Sequence, residues 1–246
     1  MTDHTAALDQ GSLTVLAHLP YLFFLTSFYK IRPTTALVCL LIDLVAVTAP
    51  FYLFRGSRAP HLLRPPKGSV ANRSLISDIQ LQILITLLAA GVYGVVVFGS
   101  FKTWVPKFFV THFEGIKDIT SLYNSQFVLL CAAFIPTGAA AKTFLFTPST
   151  AAKSDAYDLE VEAFDAEHAT LTETLLHNIY GHSKRVRILG QRSLILAAVV
   201  GFHTWLQTYL VVDGAEGIGA VGWSSIWSAA ALITGLIFAW TGDVDI

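Results

Sequence analysis

Apolar residues run through this chain in six long blocks, 11–29, 33–54, 78–100, 126–146, 193–212 and 221–241, and polar residues collect between them. Each block is close to the roughly 20 residues that a helix needs to cross about 30 Å of hydrocarbon. Inside lipid every backbone N–H and C=O must be satisfied within the segment, so blocks of this length predict helices. The expected fold is all-α, a polytopic membrane protein with six transmembrane helices. His18 and Pro20 interrupt the first block, so the fallback is five spans plus a re-entrant hairpin. The organisation that follows is residues 1–146 with the first four spans, 147–192 as a polar insert, and 193–246 with the last two spans.

Composition agrees with this pattern. Hydrophobic residues make up 54% of the 246 and charged residues only 13%, against about 25% charged in an ordinary soluble domain. The two cysteines, Cys39 and Cys131, fall inside spans, where a disulfide framework is not expected and each acts as a small apolar residue. The first ten residues carry Asp3 and Asp9 and no Lys or Arg, unlike a secretory or transit leader, so the first span is expected to act as its own uncleaved signal. No cluster of bases with aromatics suggests nucleic acid.

Loop charge orients the spans. The loop 55–77 holds Arg55, Arg58, Arg64, Lys67 and Arg73, and the insert holds Lys153, Lys184, Arg185, Arg187 and Arg192. The other side holds Lys30, Arg32, Lys102, Lys107 and Lys117. Positive-inside therefore places both termini, the basic loop and the insert in the cytosol. Trp104, Trp223 and Trp240 stand at span ends, as interfacial anchors would. A sequon, Asn72-Arg73-Ser74, lies in the basic loop and is expected to stay unmodified.

Two polar segments carry helical patterns. In 101–124, Phe109, Phe113 and Ile116 recur at helical spacing after Pro106, which suits a first turn. An interfacial helix lying in the headgroups is expected there, with a re-entrant pore element as the alternative. In the insert, Tyr157, Val161, Phe164, His168, Leu171, Leu175, Ile179, Val186 and Leu189 describe one face of a long amphipathic helix after a mobile lead, 147–155. Acid comes first (Asp158 to Glu173) and base last (Lys184, Arg185, Arg187), complementing the helix dipole, and Gly181 bends or breaks the helix. Its apolar residues Val161, Phe164, Leu171, Leu175 and Ile179 are the candidate partner face, the alternative being packing on the chain's own spans.

Candidate chemistry is sparse. Asp43 lies near the centre of the second span, where an ionisable group costs at least about 2.5–3.5 kcal/mol. His203 falls at similar depth in the fifth span, flanked by Thr204 and Gln207. Asp43 is therefore expected to face His203 or Gln207, either as a tie between helices or as a proton relay. His18 is expected to satisfy carbonyls freed by Pro20, and Lys142 to snorkel toward headgroups. The string Gly217-Ile-Gly219-Ala-Val-Gly222 matches G-x-G-x-x-G but lacks the preceding strand a dinucleotide site needs. Its glycines read instead as the start of a packing stripe, Ala220, Ser224, Ser228, Ala231, Gly235 and Ala239, which would let another helix approach closely. No H-E-x-x-H, C-x-x-C or Walker loop is present, so no catalytic residue, metal or cofactor is expected.

The strings FVTHFEGIKD (109–118), SKRVRILGQRS (183–193) and TWLQTYLVVDGAEGIGAVGWSSIWS (204–228) resemble uncharacterised multipass membrane proteins of filamentous fungi. The resemblance implies a eukaryotic setting and brings no activity, ligand or catalytic residue. With spans near 20 residues it implies the endoplasmic reticulum rather than a thicker membrane. The expected function is a non-catalytic scaffold or accessory subunit in the lipid bilayer, bound to a membrane-protein partner or to a second copy. A small-solute or proton transporter using Asp43 and His203 comes second, and would need a polar cavity reaching Asp43. A membrane-embedded lipid-modifying enzyme comes third.

Overall fold

The computed structural model describes residues 7–54, 71–164 and 169–241. The extreme termini, Arg55, Arg58, Arg64 and Lys67 of the basic loop, and Asp165, Glu167 and His168 lie outside the described residues, as do the side chains of Arg73, Glu160, Glu162 and Ile179.

Among the described residues, five helices are long and apolar enough to cross a membrane: α1 (Ala7–Phe28), α2 (Pro33–Phe54), α4 (Ile79–Lys102), α12 (Lys184–Val211) and α13 (Gly217–Trp240). A short α3 (Arg73–Ser77) precedes α4. A sixth crossing exists if a bent pair counts as one: α7 (Phe127–Ala133) meets the run from α8 (Ile135–Ala141) to α9 (Thr147–Thr150) at 51°. The irregular span is thus the fourth and not the first. Pro136, in the first turn of α8, cannot donate back to the preceding turn, which accounts for the break at Phe134. Pro20 lies within α1, and that helix runs unbroken past it.

The π-helical turn Lys142–Phe146 joins α8 to α9 and turns Phe144, Leu145 and Phe146 inward. Thr147, Ser149 and Thr150 are buried too. The expected mobile lead therefore does not exist at its start, because the fourth span continues helically through Thr150.

The bundle is assembled around the antiparallel hairpin α12–α13, its most extensive helix pair. α4 packs on α13 and on the bent helix, and α1 packs on α12 and on α8. α2 lies outermost, chiefly against α1, with Leu37, Val38, Leu41, Ile42 and Val45 exposed.

Opposite the insert, α5 (Val105–His112) and α6 (Thr120–Asn124) close the bundle. Pro106 stands in the first turn of α5, as its missing N–H allows. Phe109 and Phe113 do not lie on a surface, however. Both are buried against Phe24, and Phe109 also against Phe28 and Trp223. Trp223 is fully buried at the centre of this aromatic cluster and is not an interfacial anchor, whereas Trp104 and Trp240 are exposed at helix ends. The His112 carbonyl accepts from Glu216 N–H, Glu114 N–H donates to the Gly214 carbonyl, and His112 Nδ1 lies 2.7 Å from Glu216. These bonds staple α5 to the α12–α13 turn. Gly219 allows this approach, since a methyl there would lie 2.8 Å from the His112 carbonyl oxygen.

Candidate functional site

Asp43 sits ten residues into α2, and His18 sits ten residues before the end of α1. The helices are antiparallel neighbours joined by residues 29–32, so positions equally far from the turn meet. Asp43 Oδ2 lies 3.0 Å from His18 Nδ1, with the two side chains 41% and 27% exposed within the protein. The His18 ring in turn lies against the His203 ring, centroid to centroid 4.4 Å with 31° between the planes. Asp43 thus reaches His203 through His18, not directly, and His18 serves Asp43 and not the carbonyls near Pro20. Gln207 is half-buried and stands outside this contact chain. A carbonyl can only accept, so the 2.9 Å contact from His203 Nδ1 to the Ala17 carbonyl places a hydrogen on Nδ1.

Among the described residues no three His, Cys, Asp or Glu side chains gather as a metal site would require. A groove of about 690 Å³ runs between α1, α2 and α8, from Leu8 and Thr48 inward to Val15, Leu40 and Leu44. Its inner end lies within a helical turn of the pair, and its walls are chiefly aliphatic, with Ser12, Thr48 and Thr143 among them.

The small-residue stripe is occupied within the chain. Ala220, Ser224, Ala231 and Gly235 are buried, and Ser228 and Ala239 are partly so. Ser228 Oγ donates to the Ala197 carbonyl of α12 at 3.0 Å. A methyl on Gly235 would strike Ser193 Oγ, and one on Gly201 would strike Ser228 Oγ. The helix that approaches this stripe is α12 of the same chain.

The insert forms two helices in place of one: α10 (Ala156–Glu162) and α11 (Leu171–Tyr180). Each opens on a reciprocal capping box, Asp155 with Asp158 and Thr170 with Glu173, which starts a new helix by satisfying its first free N–H groups. The acidic start folds back onto the basic start of α12. Arg187 Nη2 lies 3.0 Å from Asp155 and 3.3 Å from Asp158, and Lys184 N–H donates to Asp158 at 2.7 Å. The basic collar is therefore tied to acids of its own chain. Of the apolar face, Leu171 (84%) and Leu175 (53%) are exposed, Val161 is half-buried, and Phe164 stacks on His177 at 3.9 Å.

Burial pushes the Asp158 carboxyl up, but the Asp155 and Lys184 N–H groups and Arg187 outweigh it and hold it below the usual carboxylate range. A lowered folded value means the contact contributes fully above the unfolded value of about 3.9 and is lost as pH falls through the folded one. We expect the insert base to stay closed at neutral pH and to open below about pH 4. Asp158→Asn should mimic the opening at neutral pH, with amide-exchange protection at Lys184 and Arg187 falling about tenfold, since bonds to a charged group are worth roughly 1.5–3 kcal/mol. Unchanged protection in that variant would refute the tie.

No curated protein and no solved structure matches the chain. Residues 78–241 match the family described as bouquet formation protein 3 C-terminal domain. The match begins at the cap of α4 and ends just past α13, and all three fungal-like strings lie inside it. His203, the stripe and the insert fall within the matched segment, while His18 and Asp43 fall before it. With 164 of its 246 residues inside the match, the chain belongs to the bouquet formation protein 3 C-terminal domain family.

Proposed function

We propose that the protein is a non-catalytic scaffold or accessory subunit of a membrane complex, and that it works in bouquet formation as its family's name says. The insert is the docking surface, for a membrane-protein partner or a second copy of the chain. The observation that carries this reading is the exposure of Leu159, Leu171 and Leu175 on short helices whose base is clamped by the Asp155–Asp158–Arg187 cluster. Exposed leucines on a polar, anchored frame are what a partner-binding patch presents. The endoplasmic reticulum membrane is proposed on the fungal resemblance and the length of the apolar blocks, and the cytosolic side for termini, basic loop and insert on the balance of loop charge. A transporter reading is less favoured, because the groove that nears Asp43 is lined chiefly by aliphatic side chains, and its hydroxyls, on Ser12, Thr48 and Thr143, donate to carbonyls of their own helices.

The test is crosslinking with mass spectrometry on the native protein in mild detergent, comparing wild type with Leu171→Ser/Leu175→Ser. Crosslinks should concentrate on residues 156–180, and the double variant should lose most of them while the protein remains monodisperse. Crosslinks that persist unchanged in the variant would place the partner elsewhere. Glycosylation of Asn72 in cells would invert the orientation.

A further inference from the structure

α2 is a membrane-length helix that the chain leaves almost uncovered. Only 6% of its span is buried, against 28–50% for the other four long helices. Leucine and valine exposed on such a surface are at home, since lipid tails are as apolar as they are. Asp43 is not. It stands at mid-helix with its side chain 41% exposed, and among the described residues His18 is its one hydrogen-bond or ion-pair partner, reaching Oδ2 alone. A polar oxygen left without a partner in hydrocarbon is costly, and ionisable groups within spans almost always face a polar contact. The neighbouring groove supplies no donor, because its hydroxyls donate to carbonyls of their own helices.

The residues around Asp43 carry a second, independent signal. Ala36, Cys39, Asp43, Ala46 and Pro50 follow at steps of three, four, three and four, so they form one ridge along α2. Small residues in such a ridge let another transmembrane helix approach closely. The stripe on α13 has the same character and is covered by α12. On α2, by contrast, Cys39, Ala46 and Pro50 are exposed and Ala36 is half-buried. A close-packing ridge and an incompletely bonded carboxyl therefore coincide on one uncovered face.

A second copy of the chain is a poor occupant. A two-fold axis along the membrane normal would set each ridge against itself. Asp43 would then meet its own counterpart at the same depth, and two carboxylates sharing a site oppose each other. The complementary occupant brings a positive charge to that depth.

We propose that the ridge from Ala36 to Pro50 is an intramembrane docking site for a transmembrane helix of another protein, one that carries a lysine or arginine at mid-span. His18 holds Oδ2 of Asp43, and the incoming cation takes Oδ1. This goes beyond the scaffold reading and does not depend on it, because no residue of the ridge belongs to the insert.

The test uses the full chain with Cys131→Ala in phosphatidylcholine vesicles, so that Cys39, exposed one turn from Asp43, is the remaining thiol. The probes are leucine-rich transmembrane peptides of about 20 residues whose central residue is lysine, leucine or glutamate. Each carries a cysteine one turn to either side of the centre, which allows both helix directions. Mass spectrometry of the disulfide adduct formed under mild oxidation reads occupancy of the ridge. The lysine peptide should give about tenfold more Cys39 adduct than the leucine peptide, as one interhelical polar contact allows. The glutamate peptide should give no more than the leucine one. Asp43→Leu should erase the lysine advantage. If Asp43→Leu does not fold, the Cys131→Ala chain decides, since moving the peptide's lysine two turns toward either end should erase the advantage too. Leu171→Ser/Leu175→Ser should keep the advantage, so the ridge and the insert surface stand or fall separately. A lysine peptide that labels Cys39 no more than the leucine peptide would overturn the site. So would an advantage that survives Asp43→Leu or displacement of the lysine, or one lost in the insert variant.

Discussion

Trp223→Ala should cost about 3–5 kcal/mol of folding free energy, the range for truncating a large buried aromatic. Its indole is fully buried and is met by Phe24 at 5.0 Å, Phe109 and Trp227 at 5.7 Å, Phe28 at 6.0 Å, and Phe23 and Phe101 at 6.4 Å. These rings come from α1, α4, α5 and α13, so one side chain is the common contact of four elements. Between helices in lipid the hydrophobic effect supplies little, and close packing must hold them together. The loss on truncation is then chiefly lost dispersion across the cavity left behind. Among the described residues the buried Trp223 indole N–H meets no hydrogen-bond partner, so Trp223→Phe should cost much less than alanine. Denaturing-detergent titration of purified protein measures both. Trp240 is 80% exposed and provides the comparison. If Trp223→Ala shifts the midpoint no more than Trp240→Ala does, the cluster is not what joins the four elements.

Arg192→Met should cost a similar amount, about 3–5 kcal/mol, because it removes the guanidinium that pairs with the buried Asp9 carboxylate. Arg192 Nη2 lies 2.9 Å from Asp9 Oδ2, Nε donates to the Phe144 carbonyl at 2.9 Å, and the guanidinium lies over the Phe144 ring at 4.5 Å. One side chain thus ties the start of α1, the π-helical turn of the fourth span and the first turns of α12. The double variant Arg192→Met/Asp9→Leu should recover much of the loss, as buried pairs replaced together by apolar groups often do. The same titration, run as a double-mutant cycle, reads the coupling. A single-variant loss under about 1 kcal/mol would mean that the pair behaves like an exposed one.

Several contacts were readable before folding and several were not. His18 and Asp43 stand equally far from the 29–32 connection, so their meeting follows from an antiparallel turn once α1 is taken as a full helix. Pro20, two residues further on, offers His18 a local role that masks the contact. Thr170-Leu171-Thr172-Glu173 carries the capping-box pattern that starts a second helix in the insert, a signal the long apolar periodicity masks. The stripe from Ala220 to Ala239 was visible as a close-packing surface, but nothing in its spacing names the helix that covers it. Trp223 at a span end looks like any interfacial anchor. Its burial depends on α5 turning back over the bundle, which no local pattern encodes.

The amino-acid sequence by itself determined that this protein is built of apolar helices of membrane-crossing length with a polar insert between them. Bilayer thickness and the need to satisfy the backbone in lipid act on each segment separately, so length and composition suffice. Only the tertiary structure decided that Asp43 faces His18, that α12 covers the α13 stripe, and that Trp223 lies at the aromatic centre. Those outcomes depend on how far each helix is rotated about its own axis and which neighbour it meets. Packing of the whole bundle sets that rotation. The six apolar blocks therefore announce the helices, while their polar residues acquire partners only when the helices are assembled.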